Sequence, residues 1–271
     1  MGTLERPAFG TPNYETFIYE KSNDGVATIT LNRPDRLNSF SRPMGVEFKH
    51  VWERVKWDDD VKVVVLQAAG DRAFSTGADV KEGGWADPTI SPFDWDDPGE
   101  SLGPKQNKMW KPMICAVHGM CAAGAFYWVN EADIVICSED AQFFDPHVTF
   151  GMVAAVEPTG LLGRIPYAEI MRMALLGNDE RIGAETALRI GLVSEITTRQ
   201  GLWPRAHELA AIVAQKPLVA LQGTVKAVWE ARDLPPSIAT KMTLSYPQIG
   251  NRVAQEGLER STVPKAKWKL R

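Results

Sequence analysis

The tightest constraint on this chain's fold lies in the stretch Pro112–Asp133. Met113–Val117 is a short apolar run, Gly119 breaks it, and Ala122-Ala123-Gly124-Ala125 forms a turn of small residues before Phe126–Val129 continue with helical character. A buried strand, a turn that lets backbone approach a ligand closely, and a helix start therefore follow in direct succession. Free N–H groups at such a helix start form an anion site. An ordinary strand-to-helix turn has the same local pattern, so the rest of the chain must decide between them.

With 271 residues, 44% of them hydrophobic, the chain can bury the core of one large domain, or of one domain with a smaller appendage. A net charge of −4 with both signs interspersed lacks the basic face that nucleic acid or an anionic membrane requires. Lys265, Lys267, Lys269 and Arg271 form the one basic cluster, read as a solvated tail that a phosphate-bearing ligand could use. Cys115, Cys121 and Cys137 sit in apolar segments without zinc-type pairing to histidine, so reduced, buried thiols are expected. No stretch reaches membrane-span length, no apolar leader core follows Met1, and Arg6 stands where a myristoylation signal needs Ser or Thr. A cytoplasmic protein is expected.

Phe17–Tyr19 and Val26–Leu31 read as strands joined at Asn23-Asp24-Gly25, a hairpin-type turn. Asn32–Asn38 is a turn-rich loop that Pro34 keeps out of helix, and Pro43 opens a helix with Val46, Phe48, Val51, Trp52 and Val55 near helical spacing. Asp58–Asp60 reads as a solvated loop. Lys62–Gln67 is β-branched and almost wholly apolar, as in a strand covered on both faces of a parallel sheet. It leads into Ala73–Val80, a second strand, small-residue loop and helix start, and Asp133–Cys137 with Ala141–Phe144 suggests a third layer. Repeated strand–loop–helix units in one core predict an α/β architecture. Glu82–Pro104, with Trp85, Phe93 and Trp95, reads as a lid or pocket wall, the alternative being a disordered insert. Helices follow at Tyr167–Leu176, Ala184–Ile190 (capped by Gly191), Trp203–Ala214, Pro217–Arg232 and beyond Pro236, with a short strand at Leu192–Ile196. The expected division is a core over residues 1–200 and a helical lobe over 201–271.

Four motifs now coincide in order: Leu31-Asn32-Arg33-Pro34, Phe74-Ser75-Thr76-Gly77-Ala78-Asp79, Ala116-Val117-His118-Gly119 with the Gly124 turn, and Ala184–Val193. On these residues the chain resembles the crotonase superfamily, the enoyl-CoA hydratase/isomerase group, over nearly its whole length. The resemblance implies a crotonase-like spiral of ββα units, a C-terminal helical trimerisation lobe giving a homotrimer or dimer of trimers, and an acyl-CoA thioester as substrate with no further cofactor. It implies that the N–H groups of Ala78 and Gly124 bind the thioester oxygen as charge develops there. Peptide donors suit that task because they need no proton transfer of their own. It also implies that Arg36, Leu37 and Asn38, with backbone near Ala78, Asp79 and Val80, cradle the CoA nucleotide, although Asp79 could equally cap a helix.

The departures matter as much. Hydratases of this family hold water between two glutamates, and the matching positions here are Tyr127 and His147. Tyrosine, titrating near pH 10, is a poor base at neutrality, whereas histidine near 6.5 can serve as acid or base. The resemblance implies a third candidate, Glu157, since some isomerases of the family place an acid in the loop before the Pro158–Leu162 helix. Its apolar neighbours Val153–Val156 could raise its pKa, and a lone glutamate at a helix start could equally be a dipole partner. His147 could equally be a structural histidine satisfied by Asp145. His118 reads as structural, and His50 and His207 as unremarkable helical residues. No metal site is expected, since three ligands at suitable spacing are missing. Three functions remain open: hydratase/isomerase chemistry, thioester hydrolysis or decarboxylation on the same oxyanion site, and a non-catalytic CoA binder. The Trp-rich segment hints at a bulky or aromatic acyl group.

Overall fold

The computed structural model describes residues 9–10, 13–83, 85, 93 and 96–256, and beyond these 258–259, 261, 263, 265, 268 and 270. Trp95 and the basic residues Lys267, Lys269 and Arg271 lie outside the described residues. Strands β1 (Phe17–Lys21) and β2 (Val26–Leu31) form the expected hairpin, and Gly25 takes the positive φ of +90° that its turn requires. Helix α1 (Arg42–Trp57) buries Met44, Phe48, Val51, Trp52 and Val55 on one stripe, while Val46 falls outside that stripe and is exposed.

From there the chain winds in repeating rungs. Each rung gives one strand to a larger sheet and then one to a smaller sheet. The pairs are β3 (Val63–Ala68) with β4 (Ala73–Ser75), β5 (Met113–Val117) with β6 (Met120–Ala122), and β7 (Ile134–Ser138) with β8 (Gln142–Phe144). The larger sheet runs β1-β2-β3-β5-β7-β10, closing on β10 (Glu195–Thr197), and every pairing beyond the hairpin is parallel. The smaller sheet runs β4-β6-β8-β9, with β9 (Ile182–Gly183) antiparallel at its edge. The step between the sheets is short because Gly119 turns sharply at φ +54°, where a Cβ would strike the Arg72 carbonyl.

The alternation of a strand sorts the core onto both faces of the larger sheet. Val64, Leu66 and Cys115 pack with Phe48, Trp52 and Trp128 on one side. Val63, Val65, Ile114 and Ile136 pack on the other against Leu202, Ala206, Ala210 and Ala214 of α7 (Leu202–Ala214). Alanines at every fourth position let this helix lie close on the sheet. The first compact unit therefore extends to Gln215, and the boundary expected after residue 200 moves to follow α7. The second unit comprises Lys216–Arg271. Its helices α8 (Leu218–Ala231), α9 (Pro236–Thr243) and α10 (Ser245–Gln255) bury none of their side chains. They surround a groove of about 470 Å³ lined by small residues such as Ala220, Gly223, Ala239 and Gly250.

Two buried charged groups stiffen the first unit. Lys111 is fully buried and donates from Nζ to the carbonyls of Val55 at 2.7 Å and Asp58 at 2.6 Å. It thereby satisfies carbonyls at the α1 C-terminus. Glu131, at the end of α3 (Phe126–Glu131), accepts from the backbone N–H groups of Lys105 at 2.5 Å and Gln106 at 3.3 Å. Burial pushes its pKa up to about 7 from 4.5. The folded value is the higher one, so this group's contribution to stability is complete below pH 4.5 and is lost as pH rises through about 7. A shift of this size corresponds to about 3 kcal/mol. Glu131→Gln should flatten the decline in unfolding free energy between pH 5 and pH 8, measured by urea titration; an unchanged slope would assign that decline elsewhere.

Candidate active site on three consecutive rungs

The C-terminal ends of β4, β6 and β8 lie side by side, with Ser75 opposite Cys121 and Ala122 opposite Phe144 in parallel register. Adjacent strands stand about 4.8 Å apart. The residues immediately beyond these ends, Gly77-Ala78, Ala123-Gly124 and Asp145-Pro146-His147, are thus brought together from separated parts of the chain.

The first two turns touch. Gly77 has φ +86°, and a Cβ there would lie 2.8 Å from the Ala123 Cβ and 3.1 Å from the Gly124 nitrogen. Phe40 clamps the first turn, donating from its N–H to Gly77 O at 2.8 Å and accepting from Asp79 N at 2.8 Å. In a parallel bridge of this kind the flanked residue's own N–H points away from the clamping strand. That residue is Ala78. The Phe40 ring also backs the second turn, where a Cβ on Gly124 would meet it at 2.5 Å. Ala123 itself adopts φ +49°, an uncommon left-handed conformation for a residue with a Cβ.

A cleft of about 470 Å³ opens over these turns. Arg36, Leu37, Ala78, Asp79, Val80 and His147 line it, together with Arg72, Lys81 and Ala123. Asn38 stands behind the wall: its buried amide donates to Ala69 O and Ala73 O, both at 2.9 Å, and accepts from Arg33 N at 2.9 Å. Asp79 lines the cleft with its carboxylate already engaged, by the N–H groups of Lys81 and Glu82 and by Arg33 at 3.1 Å. The capping alternative for Asp79 is therefore realised.

Glu157, His147 and Tyr127 converge beside the turns. Glu157 belongs to α4 (Val156–Thr159), which lies tightly on α3: a Cβ on Gly160 would collide with the Asn130 amide, and Asn130 Nδ2 donates to Glu157 O at 2.9 Å. The carboxyl is buried, and burial raises its pKa. Val153 and Val156, invoked for that effect on sequence, are themselves exposed; packing against α3 desolvates the acid instead. His147 Nε2 lies 3.8 Å from Glu157 Oε1, while its Nδ1 pairs with Asp145 Oδ1 at 2.5 Å, which raises the imidazole pKa. Tyr127 donates its hydroxyl to Asp97 at 3.1 Å, and burial beside Glu157 and Asp97 raises its pKa far above neutrality. It is a hydrogen-bond donor here and not a base. His118 is fully buried and held neutral, its pKa pushed down to about 4 by desolvation, consistent with a structural role.

Sequence spacing concealed one cluster. Asp145, His147 and Glu157 bring possible ligand atoms within 4.8 Å of one another, contrary to the expectation that no such trio exists. Asp145 and Glu157, however, face opposite nitrogens of the ring, an arrangement along a line rather than around one ion.

The arrangement of rungs and turns has counterparts. The sequence model described as enoyl-CoA hydratase/isomerase matches residues 21–269. This chain belongs to the enoyl-CoA hydratase/isomerase family. Over 211 residues it is 35% identical to the (E)-benzylidenesuccinyl-CoA hydratase of Thauera aromatica, covering 78% of this chain and 81% of that one. It is 32% identical over 222 residues to the 1,2-epoxyphenylacetyl-CoA isomerase of Escherichia coli K12, covering 78% and 80%. The crystal structure of an enoyl-CoA hydratase/isomerase from Mycobacterium paratuberculosis superimposes with a TM-score of 0.79 at 38% identity, over 89% of this chain and 91% of that one. Membership of the enoyl-CoA hydratase/isomerase family establishes an enzyme family acting on CoA thioesters and the crotonase fold. Among the described residues no helix is long and apolar enough to cross a membrane.

Sequence reasoning missed three contributors to this site. Phe40 and Asn130 shape it from behind, and neither carries a local signature. Asp97 lies in the tryptophan-rich segment, among residues read together as a lid or pocket wall. Asp145, read on sequence as the partner of a structural His147, does pair with that ring. Of the expected wall, Trp85 stacks edge-on with Phe40 at 5.9 Å, whereas Phe93 is exposed.

Proposed function

We propose that the protein is an enoyl-CoA isomerase-type enzyme acting on a ring-bearing acyl thioester. Ala78 and Gly124 hold the thioester oxygen with their N–H groups, and Glu157 moves a proton between acyl carbons. The observation that carries this reading is the buried Glu157 carboxyl beside the two touching turns. A carboxylate whose pKa is raised is a stronger base towards a carbon-bound proton than an exposed one, and the acid it becomes can return that proton. His147 stands 3.8 Å from it. A water bonded to both groups at ordinary lengths and a tetrahedral angle needs roughly 4.6 Å between them. At 3.8 Å the pair is too close for that water and longer than a hydrogen bond, so it suits a proton-transfer couple that tightens when substrate is bound. Tyr127 and His147, where hydratases of the family carry glutamates, support the same choice.

In this reading Arg36, Arg72 and Lys81 in the cleft meet the CoA phosphates, with Leu37 and the backbone of Asp79 and Val80 as the cradle and Asn38 holding the loop from behind. The rings of Phe40 and Tyr127 beside Gly124, with Trp85 against Phe40, and two relatives named for phenyl-bearing CoA thioesters, support a ring in the acyl group. The unburied helices of the second unit suit the contacts of a homotrimer or dimer of trimers, and three buried free cysteines suit a cytoplasmic setting.

Purified protein should convert β,γ-unsaturated hexenoyl-CoA to its conjugated isomer without change of mass, and a styryl analogue faster. Addition of water to cinnamoyl-CoA as the dominant reaction would favour hydration instead, and release of free thiol would favour hydrolysis. Tight binding without turnover would end the catalytic reading.

A further inference from the structure

Asp145 is fully buried, yet its carboxylate makes only local bonds: Oδ1 accepts from His147 N at 3.1 Å and pairs with His147 Nδ1 at 2.5 Å, while Oδ2 has no hydrogen-bond partner. A buried carboxylate with one oxygen unsatisfied carries a desolvation cost that only a strong partner offsets. The partner is the His147 imidazole. Asp145 occupies one edge of that ring, so the other nitrogen is turned to Glu157, while the ring itself lines the cleft. Glu157 sits deeper, between His147 and the Tyr127 hydroxyl.

We propose that Asp145 is the positioning residue of an Asp145–His147–Glu157 relay, fixing His147 with Nδ1–H toward Asp145 and Nε2 toward Glu157, so that protons on the buried Glu157 exchange with the cleft through the imidazole. This rests on Glu157 being the group that moves the acyl proton. The step is a proton transfer alone: the imidazole closes the 3.8 Å gap to hydrogen-bond length, the Glu157 O–H bond breaks with its electron pair left on the carboxylate, and the Nε2 lone pair takes the proton. The resulting imidazolium, facing the Asp145 carboxylate, then releases it to solvent in the cleft. The charged groups around His147 are Asp145 on its own turn, Glu157 from α4, and Asp35, Arg36, Arg72, Asp79 and Lys81 across the cleft. Among the described residues, Asp145 is the hydrogen-bond partner of the ring nitrogen turned away from Glu157. It therefore sets the tautomer, a property that bulk packing does not choose.

Proton–nitrogen NMR of the wild-type protein, at a pH above the His147 titration, reads the tautomer directly and requires no turnover. Protonated Nδ1 with unprotonated Nε2 is the expected result, and the reverse tautomer overturns the proposal. In Asp145→Asn the His147 midpoint should fall by one pH unit or more, a tenfold weaker hold on the proton, whereas an unchanged midpoint and tautomer overturn the positioning role. With β,γ-unsaturated hexenoyl-CoA in deuterium oxide, Asp145→Asn should lower kcat at least tenfold, leave KM unchanged, and reduce solvent deuterium appearing in product several-fold. Unchanged deuterium incorporation also overturns the relay. Failure of the wild type to isomerise any enoyl-CoA would sink the Glu157 reading on its own, and the NMR arm keeps the two failures distinct.

Discussion

Gly124→Ala should lower kcat on β,γ-unsaturated hexenoyl-CoA by about a hundredfold or more, the cost of losing one oxyanion donor. The N–H survives the substitution, but its position does not. An added Cβ would lie 2.5 Å from the buried Phe40 ring and 2.9 Å from the Tyr127 ring, so the turn must move away from both. A shift of several tenths of an ångström misaims a donor that must meet the developing oxyanion at hydrogen-bond distance. Overpacking of this kind costs about 1–3 kcal/mol of stability, small enough for a domain of this size to remain folded. Phe40→Leu in the Gly124→Ala background should recover part of the lost rate by giving the turn room. Full activity in Gly124→Ala would remove the oxyanion role, and absence of any recovery would show that Phe40 is not the obstacle.

Glu157→Gln should cost two to four orders of magnitude in kcat, the usual contribution of a positioned acid or base. The amide preserves shape and cannot carry the proton. The pH dependence tests the same assignment with a defined sign. Burial raises the Glu157 pKa, and a positive His147 lowers it. The acid limb of kcat/KM should therefore lie above the ordinary carboxylate range, because the base must be ionised to act. His147→Gln removes the lowering influence, so that limb should move to higher pH. Movement to lower pH, or robust turnover by Glu157→Gln, would falsify this role for Glu157.

Legibility of the site in the sequence followed from how local each interaction is. Strand–turn–helix units, the Gly191 cap and helices such as Tyr167–Leu176 depend on neighbouring residues, and their boundaries were readable. Small-residue turns at Ala78 and Gly124 were readable for the same reason. The end of the first unit was misplaced, because the close approach of α7 is decided by alanines whose partners are far away in the chain. Buried Lys111 and Glu131 escaped notice because composition marks charged residues as surface, and only tertiary contacts reveal the carbonyls and N–H groups that retain them. Distance likewise hid the Glu157–His147–Asp145 arrangement. Two of its members are close in sequence, but the third arrives on α4, seated by the Asn130–Gly160 contact.

The stacking of rungs in the smaller sheet divides the site into parts with different freedom to evolve. The first two turns are separated by the spacing of a hydrogen-bonded strand ladder, a backbone quantity that side-chain substitution scarcely alters. Side chains that follow on each rung are under no such bond: Tyr127 and His147 could be replaced without disturbing the ladder that carries them. Lineages built on this spiral can therefore keep the spacing of the two turns while the side chains beside them change. New reactions can arise by exchanging a few of those side chains around a fixed distance, with no need to rebuild the polypeptide that sets it.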